Sequence, residues 1–358
     1  MTPDRTDAHR LLIERLSADD GPLSKDTPTA TVKNPAWFVE RDGRLEIRAG
    51  RRALHRQLRE EMREENPGVK AERRAIILAG PPLAGKGTTL RQERADVLPS
   101  YLVIDADDFK KKLLTEAMRD GTYESVIKPQ AIKDLEAGGE QFFPLELASL
   151  VHEESSMLAA SMRDQALRDG TNIVIDTVLS SPEKAADIGR RLERAGYDVE
   201  VIDVEVPYAL SEERIASRWR GDYLDALDKG EGLGGRWVPA EFAREVFNGP
   251  DGKSRPEAVA QGLAESAPNV VRFSRYRTER EGAPRVLEVD KVRVKPGGPL
   301  VDRQATLLSS AVQASRATKG RSVPGLAPSA GRRIPLSGGK RPPNEVPSGS
   351  RLRLCGMV

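Results

Sequence analysis

The sequence predicts an α/β fold in which a parallel sheet is covered by helices on both faces. Short runs rich in Val, Ile and Leu alternate with longer segments of helical pattern, which is typical of strands buried on both sides. The first of these runs ends in a glycine-rich stretch that passes into a polar helix. A length of 358 residues allows one large domain or two modest ones.

The strand candidates are the apolar runs between residues 75 and 290. The clearest helix between them covers residues 181–196, with Ser181 as N-cap, Pro182 in the first turn and Gly196 at the end. The predicted strands are 75–80, 101–107, 172–178, 198–206 and 270–276, with 285–290 as a final strand or an edge.

Three regions differ in composition. Residues 1–74 are polar and predict a helical N-terminal extension. Residues 75–292 carry the alternating strands and helices and predict the α/β domain. Residues 293–358 are rich in Gly, Pro and Ser, with basic residues in excess, and predict a disordered tail with one short helix as an option around 302–317.

Bulk properties exclude several classes of protein. The net charge of +2 and the aromatic content of 4% argue against a nucleic-acid partner. One cysteine, Cys355, and three scattered histidines provide neither a disulfide framework nor a zinc site. The charged N-terminus does not resemble a signal peptide, and no apolar stretch approaches the ~20 residues of a membrane span. We therefore expect a soluble, cytoplasmic protein without a membrane partner.

The glycine-rich stretch has the spacing of a Walker A motif, with Gly80, four residues, Gly85 and Lys86 between a strand and a helix. Backbone N–H groups there would surround phosphates, and Lys86 would lie along the β- and γ-phosphates of ATP. The alternative is a glycine-rich turn without a ligand. The predicted ATP-binding residues are Gly80, Pro81, Pro82, Leu83, Ala84, Gly85, Lys86, Gly87, Thr88 and Thr89.

Two positions depart from the usual motif. Gly87 stands where Ser or Thr normally binds Mg²⁺, so the following Thr88 supplies the hydroxyl or a water does. Leu83 stands where many such loops carry glycine. The phosphate contacts are therefore better defined by the sequence than the geometry of the metal.

Three carboxylates, Asp105, Asp107 and Asp108, stand at the C-terminal end of the second predicted strand. In open parallel sheets, ligands bind beyond the carboxyl ends of the strands, beside the phosphate loop. One of these acids could accept the proton of a substrate hydroxyl during phosphoryl transfer. The alternative is that they cap the helix that begins near Phe109.

Asp176 and Thr177 end the third predicted strand in a similar way. Asp176 could organise Mg²⁺ through water or contact the substrate, and the alternative is that it merely ends the strand.

Arginines follow the fourth strand. Arg214 and Arg218 are four residues apart and share a helix face, and Arg236 follows a glycine-rich segment. A helix, a mobile loop and an arginine together indicate a lid that closes on ATP. The alternative is that each arginine is a solvated helix charge.

With these motifs in order, "GPPLAGKGT", "VIDADDFK", "NIVIDTV", "ERIASRWR" and "GGRWVP", the chain resembles the zeta toxins over about residues 70–290. These are P-loop kinases of toxin–antitoxin systems, and typical members phosphorylate UDP-N-acetylglucosamine with ATP and Mg²⁺. The resemblance implies that Lys86 is the ATP lysine and Asp107 the catalytic base. It also implies that Arg218 and Arg236 hold the phosphates, with Asp105 and Asp108 in supporting roles.

The acceptor side departs from the family pattern. Zeta toxins often read Glu-Gly-Thr where this chain has Asp176-Thr177-Val178, and residues 128–144 look like an insert that forms part of the acceptor pocket. We assign Asp107, Asp176 and Thr177 to the acceptor, and Thr88 and Asp176 to the metal.

The sequence thus predicts an ATP:hydroxyl phosphotransferase, and the resemblance to zeta toxins implies UDP-N-acetylglucosamine as the acceptor and a separate antitoxin protein as a further partner. Two alternatives stay open. The same fold could act on another acceptor, such as NAD, an antibiotic or a polynucleotide, or it could be a non-catalytic nucleotide-binding module.

Overall fold

The computed structural model describes residues 5–308. Its centre is a seven-stranded sheet in the order β4-β5-β3-β6-β7-β8-β9. The first five strands of that order are parallel, and β8 and β9 continue the sheet antiparallel. The strands are β1 Phe38–Arg41, β2 Arg44–Ile47, β3 Arg74–Ala79, β4 Leu102–Ile104, β5 Ile173–Asp176, β6 Asp198–Glu205, β7 Val270–Arg277, β8 Val286–Arg293 and β9 Leu300–Asp302.

Helices connect the parallel strands, as the alternating pattern predicts. A 3₁₀ segment, Pro144–Val151, leads directly into α6. No helix between residues 5 and 308 is long and apolar enough to cross a membrane. The helices are α1 Arg5–Leu16, α2 Ala49–Glu64, α3 Lys86–Glu93, α4 Ala106–Asp120, α5 Gln130–Ala137, α6 His152–Asp169, α7 Pro182–Arg194, α8 Tyr208–Lys229, α9 Ala240–Val246 and α10 Arg255–Ser266.

The two faces of the sheet have separate apolar cores. Ala75 and Ile77 of β3 point into the larger core, which is closed by α4, α6, α7 and α10. Ile76 and Leu78 point to the opposite face, where α3 and α8 contribute Leu90 and Leu210. Because successive strand residues face opposite sides, an apolar run without alternation is what a sheet covered on both faces requires.

Strand register brings three chain segments to one edge. Ile77 of β3 and Ile104 of β4 both pair with Ile175 of β5, and Leu78 pairs with Asp176. The residues that follow these three strands therefore leave the sheet side by side. They are the glycine-rich loop, the acids from Asp105 onward, and the segment after Asp176.

The N-terminal region contains more than the predicted helices. β1 and β2 form a two-stranded antiparallel sheet of their own, joined by Asp42 and Gly43 at φ angles of 50° and 70°. Asp-Gly between two strands favours a tight hairpin turn, so a sequence signal for this hairpin was present. α2 packs on α6 through a buried ion pair between Arg51 and Glu154.

At the other end, the predicted edge strand is part of β8, and β9 lies within the segment predicted as a tail. Most of that predicted tail, residues 309–358, lies outside the described residues.

Candidate active site

The glycine-rich loop has a backbone that only certain residues adopt easily. Gly80 has a φ of 134°, and a Cβ there would lie 2.1 Å from the carbonyl oxygen of Val204. Gly85 has a φ of 92° and precedes α3 as its N-cap residue. Leu83 adopts a φ of 54°, which is rare for a side chain of its size. The leucine thus keeps the left-handed conformation that glycine supplies in many such loops.

Side chains and backbone from neighbouring elements hold the loop. The Ser211 hydroxyl of α8 donates a buried hydrogen bond of 2.7 Å to the Pro82 carbonyl. Arg214, one turn later, donates from Nη1 to the Leu83 carbonyl at 3.3 Å. α8 therefore fixes the loop by two successive contacts.

Lys86 begins α3 and folds back over the loop. Its Nζ donates to the carbonyls of Gly80 and Pro81 at 3.1 and 3.4 Å. The same nitrogen lies 3.7 Å from Oδ1 of Asp176 at the end of β5. A cation from the start of α3 and a carboxylate from the end of β5 thus meet beside the loop.

Asp105 performs the capping role considered for the three acids. Its Oδ1 accepts a hydrogen bond of 2.9 Å from the backbone N–H of Asp107 and so caps α4. Burial, together with the charges of Asp176 and Asp108, raises the pKa of Asp105 to about 6 against the opposing charges of Arg236 and Lys86. Asp105 therefore lies within the fields of both neighbouring ion pairs.

Asp107 lies between two cations. Its Oδ2 forms an ion pair with Nη1 of Arg236, and its Oδ1 lies 3.0 Å from Nζ of Lys110. Its side chain is 29% exposed, so a substrate can reach it. Asp108 differs, because it pairs with Lys111 and its side chain is 46% exposed. Of the three acids, Asp107 is thus the one that two cations hold, one on each oxygen, and that stays partly exposed.

Three further groups at this edge have shifted pKa values. Burial lowers the pKa of Lys110 to about 8, although the charge of Asp105 opposes the shift. Burial also raises the pKa of Asp176, against Lys86, and lowers the pKa of Arg236, against Asp105. Such perturbed groups cluster at functional sites. Sequence reasoning missed Lys110, although it belongs to the "DDFK" stretch and lies three residues after Asp107 on α4.

The loop that carries Arg236 is closely packed. A Cβ on Gly234 would lie 2.2 Å from Cβ of Phe143, and one on Gly235 would lie 2.3 Å from the carbonyl oxygen of Trp219. The Leu145 N–H donates to the Leu233 carbonyl at 2.8 Å. A larger residue at Gly234 or Gly235 would clash with these neighbours. Close packing therefore requires glycine at both positions, whether or not the loop moves as a lid.

Arg218 is placed differently from Arg236. Its side chain is 54% exposed and its Nε lies 3.6 Å from Oδ2 of Asp222 on the same helix. Arg214, one turn earlier on α8, contacts the phosphate loop instead. From the sequence, Arg218 and not Arg214 is assigned to the phosphates. The shared helix face of the two arginines is the sequence feature that points to Arg214.

The hydroxyls named for the metal and the acceptor have local partners. Thr88 is exposed and accepts a hydrogen bond of 3.4 Å from Arg91, whereas Thr89 is buried and donates to the Gly85 carbonyl at 3.0 Å. Thr177 accepts from the Leu179 N–H at 3.2 Å. Within residues 5–308, no group of three or more His, Cys, Asp or Glu residues is arranged to hold a metal ion.

Residues 59–253, more than half of the chain, match the family model described as Zeta toxin. The structure is similar to that of AvrRxo1-ORF1 with AvrRxo1-ORF2 and ATP, at 19% identity and a TM-score of 0.49, over 78% of this chain and 76% of that one. It is also similar to a structure from the PezAT toxin–antitoxin system of Streptococcus pneumoniae, at 15% identity and a TM-score of 0.45, over 75% and 96% of the two chains. No curated protein matches the chain significantly.

Proposed function

The chain belongs to the zeta toxin family, and we propose that it is a kinase that transfers the γ-phosphoryl group of ATP to a small-molecule hydroxyl. The observation that carries this proposal is the meeting of Lys86, Asp176, Asp107 and Arg236 at one edge of the sheet. Nucleotide binding alone would need the loop and the lysine, but not an oriented, accessible carboxylate opposite an arginine.

In the proposed reaction, Asp107 is the catalytic base. The acceptor oxygen forms a bond to the γ-phosphorus, the bond from that phosphorus to the β–γ bridging oxygen breaks, and ADP leaves. The hydroxyl proton passes to a carboxylate oxygen of Asp107. Lys110 and Arg236 orient this carboxylate, because each contacts a different one of its oxygens. General-base help of this kind typically contributes ~10²–10⁴-fold to the rate.

The phosphate groups of ATP are assigned to the loop and the basic side chains. Backbone N–H groups of residues 80–89 and the N-terminus of α3 would bind the phosphates, with Lys86 along the β- and γ-phosphates. Arg236 would neutralise charge on the transferring group. Arg218, exposed on α8, would join it on closure of the lid.

We place Mg²⁺ at this edge, where Asp176 and Thr88 offer oxygen donors. Mg²⁺ is usually held by one or two carboxylates together with phosphates and waters, so Asp176, Thr88 and water form a suitable set. When bound, Mg²⁺ would offset the negative charge of the phosphates.

For the acceptor, we propose the sugar of UDP-N-acetylglucosamine, with Asp107, Asp176 and Thr177 in contact with it. This choice rests on membership of the family, and the departure at Asp176-Thr177-Val178 leaves NAD, an antibiotic or a polynucleotide hydroxyl as alternative acceptors. A non-catalytic nucleotide-binding module is the second class of function, and the paired Asp107 argues against it. A separate antitoxin protein is the proposed macromolecular partner.

The test is to incubate the purified chain with γ-labelled ATP, Mg²⁺ and a panel of acceptors that includes UDP-N-acetylglucosamine. Transfer of label to one acceptor, lost in Asp107→Asn, would support the proposal and identify the substrate. ATP binding without transfer to any acceptor would favour the non-catalytic module. An unaffected Lys86→Ala variant would remove the role of the phosphate loop.

A further inference from the structure

Helix α1 reaches the interior through His9, whose side chain is 2% exposed. The Nε2 atom of His9 lies 3.1 Å from Oε1 of Glu146, and Nδ1 lies 3.3 Å from Oε2 of Glu140. The imidazole also stacks on Tyr223 of α8, with 4.6 Å between ring centroids. Burial disfavours the charged imidazole, but the hydrogen bonds and charges of Glu146 and Glu140 outweigh it and raise the pKa of His9.

Glu146 connects α1 to two other parts of the chain. Its side chain is fully buried, and its Oε1 accepts a hydrogen bond from Nε1 of Trp219 at 3.1 Å as well as the contact from His9. Its Oε2 accepts from the Phe143 N–H at 2.9 Å. A buried carboxylate is costly unless donors satisfy it, so His9 and Trp219 are mutually dependent through Glu146.

Trp219 in turn supports both neighbours of Arg236. A Cβ on Gly235 would lie 2.7 Å from Cδ1 of Trp219, so the loop lies directly on the indole. The ring of Trp237 meets the Trp219 ring edge-on, with 5.9 Å between centroids. In the chain, Arg236 lies between Gly235 and Trp237, and its side chain pairs with Asp107. Contacts therefore run without interruption from His9 to the catalytic edge.

We propose that His9 is a positioning residue for Arg236, and that α1 holds the arginine loop in place through Glu146 and Trp219. α1 lies outside the part of the chain that matches the family model, residues 59–253, so membership of the family does not account for this role. The mechanistic consequence rests on the proposed function, in which Arg236 acts on the transferring phosphate. The mechanical part, a loop held by His9, does not.

The mechanical part is tested by native-state trypsin cleavage of the full chain, with fragments identified by mass spectrometry. His9→Phe keeps the ring stack but removes the donor to Glu146. Loss of a hydrogen bond to a buried charge should raise cleavage after Arg236 on the order of tenfold. Cleavage after Lys253, in the loop before α10, should stay unchanged.

Two matched variants complete the design. His9→Gln places an amide N–H near the position of Nε2 and should restore slow cleavage after Arg236. Arg10→Ala, on the same helix and paired with Glu14, should behave as wild type. Unchanged cleavage after Arg236 in His9→Phe, or an equal rise after Arg236 and Lys253, would overturn the proposal.

The catalytic part is tested by a double-mutant cycle on phosphoryl transfer. If His9 acts through Arg236, His9→Phe lowers kcat about tenfold in the wild-type background but not in Arg236→Ala, and the KM for the acceptor stays the same. Additive losses would contradict positioning. A different outcome is that His9→Phe raises cleavage after Arg236 although the wild-type chain transfers no phosphate to any acceptor. That result would support the role of α1 in holding the loop and would refute the proposed function.

Discussion

Two carboxylates, the buried Glu154 and the half-buried Asp105, lie in opposite electrostatic environments. Glu154 receives two hydrogen bonds from Arg51, at 2.5 and 2.8 Å, and one from His55 at 2.7 Å. Burial alone would raise the pKa of Glu154, but these hydrogen bonds and charges lower it to about 2. Asp105 accepts one backbone N–H and faces Asp176 and Asp108, and its pKa is raised to about 6.

The difference separates a structural site from the proposed active site. Where α2 meets α6, the hydrogen bonds from Arg51 and His55 offset the cost of burying the Glu154 carboxylate. At the carboxyl edge of the sheet, like charges are held together and the folded state bears the cost, which is common where a protein must bind charged ligands.

The largest expected effect is on rate at the catalytic edge. Asp107→Asn should lower kcat by about 10²–10⁴-fold, because the amide cannot accept the hydroxyl proton. Affinity for ATP, measured by calorimetry, should change by less than about threefold, since the loop and Lys86 remain. Asp108→Asn, at the exposed neighbouring acid, is the control. A fully active Asp107→Asn would show that this edge is not the catalytic one.

The next effect is on stability where α2 meets α6. Glu154→Gln leaves Arg51 and His55 without their carboxylate and should cost about 3–5 kcal/mol of unfolding free energy in denaturant titrations. Glu153→Gln, one residue earlier, is the control. Wild type should also lose stability as pH falls from about 4.5 towards 2, because the folded-state pKa of Glu154 is depressed, and the variant should lack this component. Equal stability of the variant and wild type would contradict this account.

Asp105 should respond to pH in the opposite sense. Its raised pKa means that the folded state binds more protons than the unfolded state between about pH 4 and 6, so stability falls as pH rises through that range. Asp105→Asn keeps a cap for α4 and should be more stable than wild type by about 1–3 kcal/mol at pH 8. The gap should close at pH 4. A gap that is independent of pH would show that charge is not its cause.

The smallest expected effect is at a second ion pair between the same two helices. Arg63 of α2 pairs with Asp169 of α6 at 2.9 Å, with 34% and 46% of the side chains exposed. Arg63→Gln should change the unfolding free energy by less than about 1 kcal/mol, because water screens the pair. A loss as large as that in Glu154→Gln would mean that burial is not what distinguishes the two pairs.

The sheet and the position of its loop followed from sequence because local patterns carry them. Runs of Val and Ile marked the parallel strands, and the spacing of Gly80, Gly85 and Lys86 marked the turn into α3. The three acids come directly after β4, and Asp105 caps α4, a position that Asp favours.

Contacts between segments that are distant in the chain could not be predicted from the sequence. Lys110 is one lysine among three in a row, and only packing buries it beside Asp107. His9 carries no local signal of its role, because its partner Glu146 lies 137 positions away. The glycines before Arg236 predicted motion, whereas their close fit against Phe143 and Trp219 depends on the fold.

The long separation between His9 and Glu146 also orders events during synthesis. α1 leaves the ribosome early, but Glu146 is made 137 residues later and Trp219 a further 73 after that. Closing so large a loop is entropically costly and slow. α1 can therefore dock completely only after Glu146 and Trp219 have been made, and the arginine loop gains its support from α1 only then.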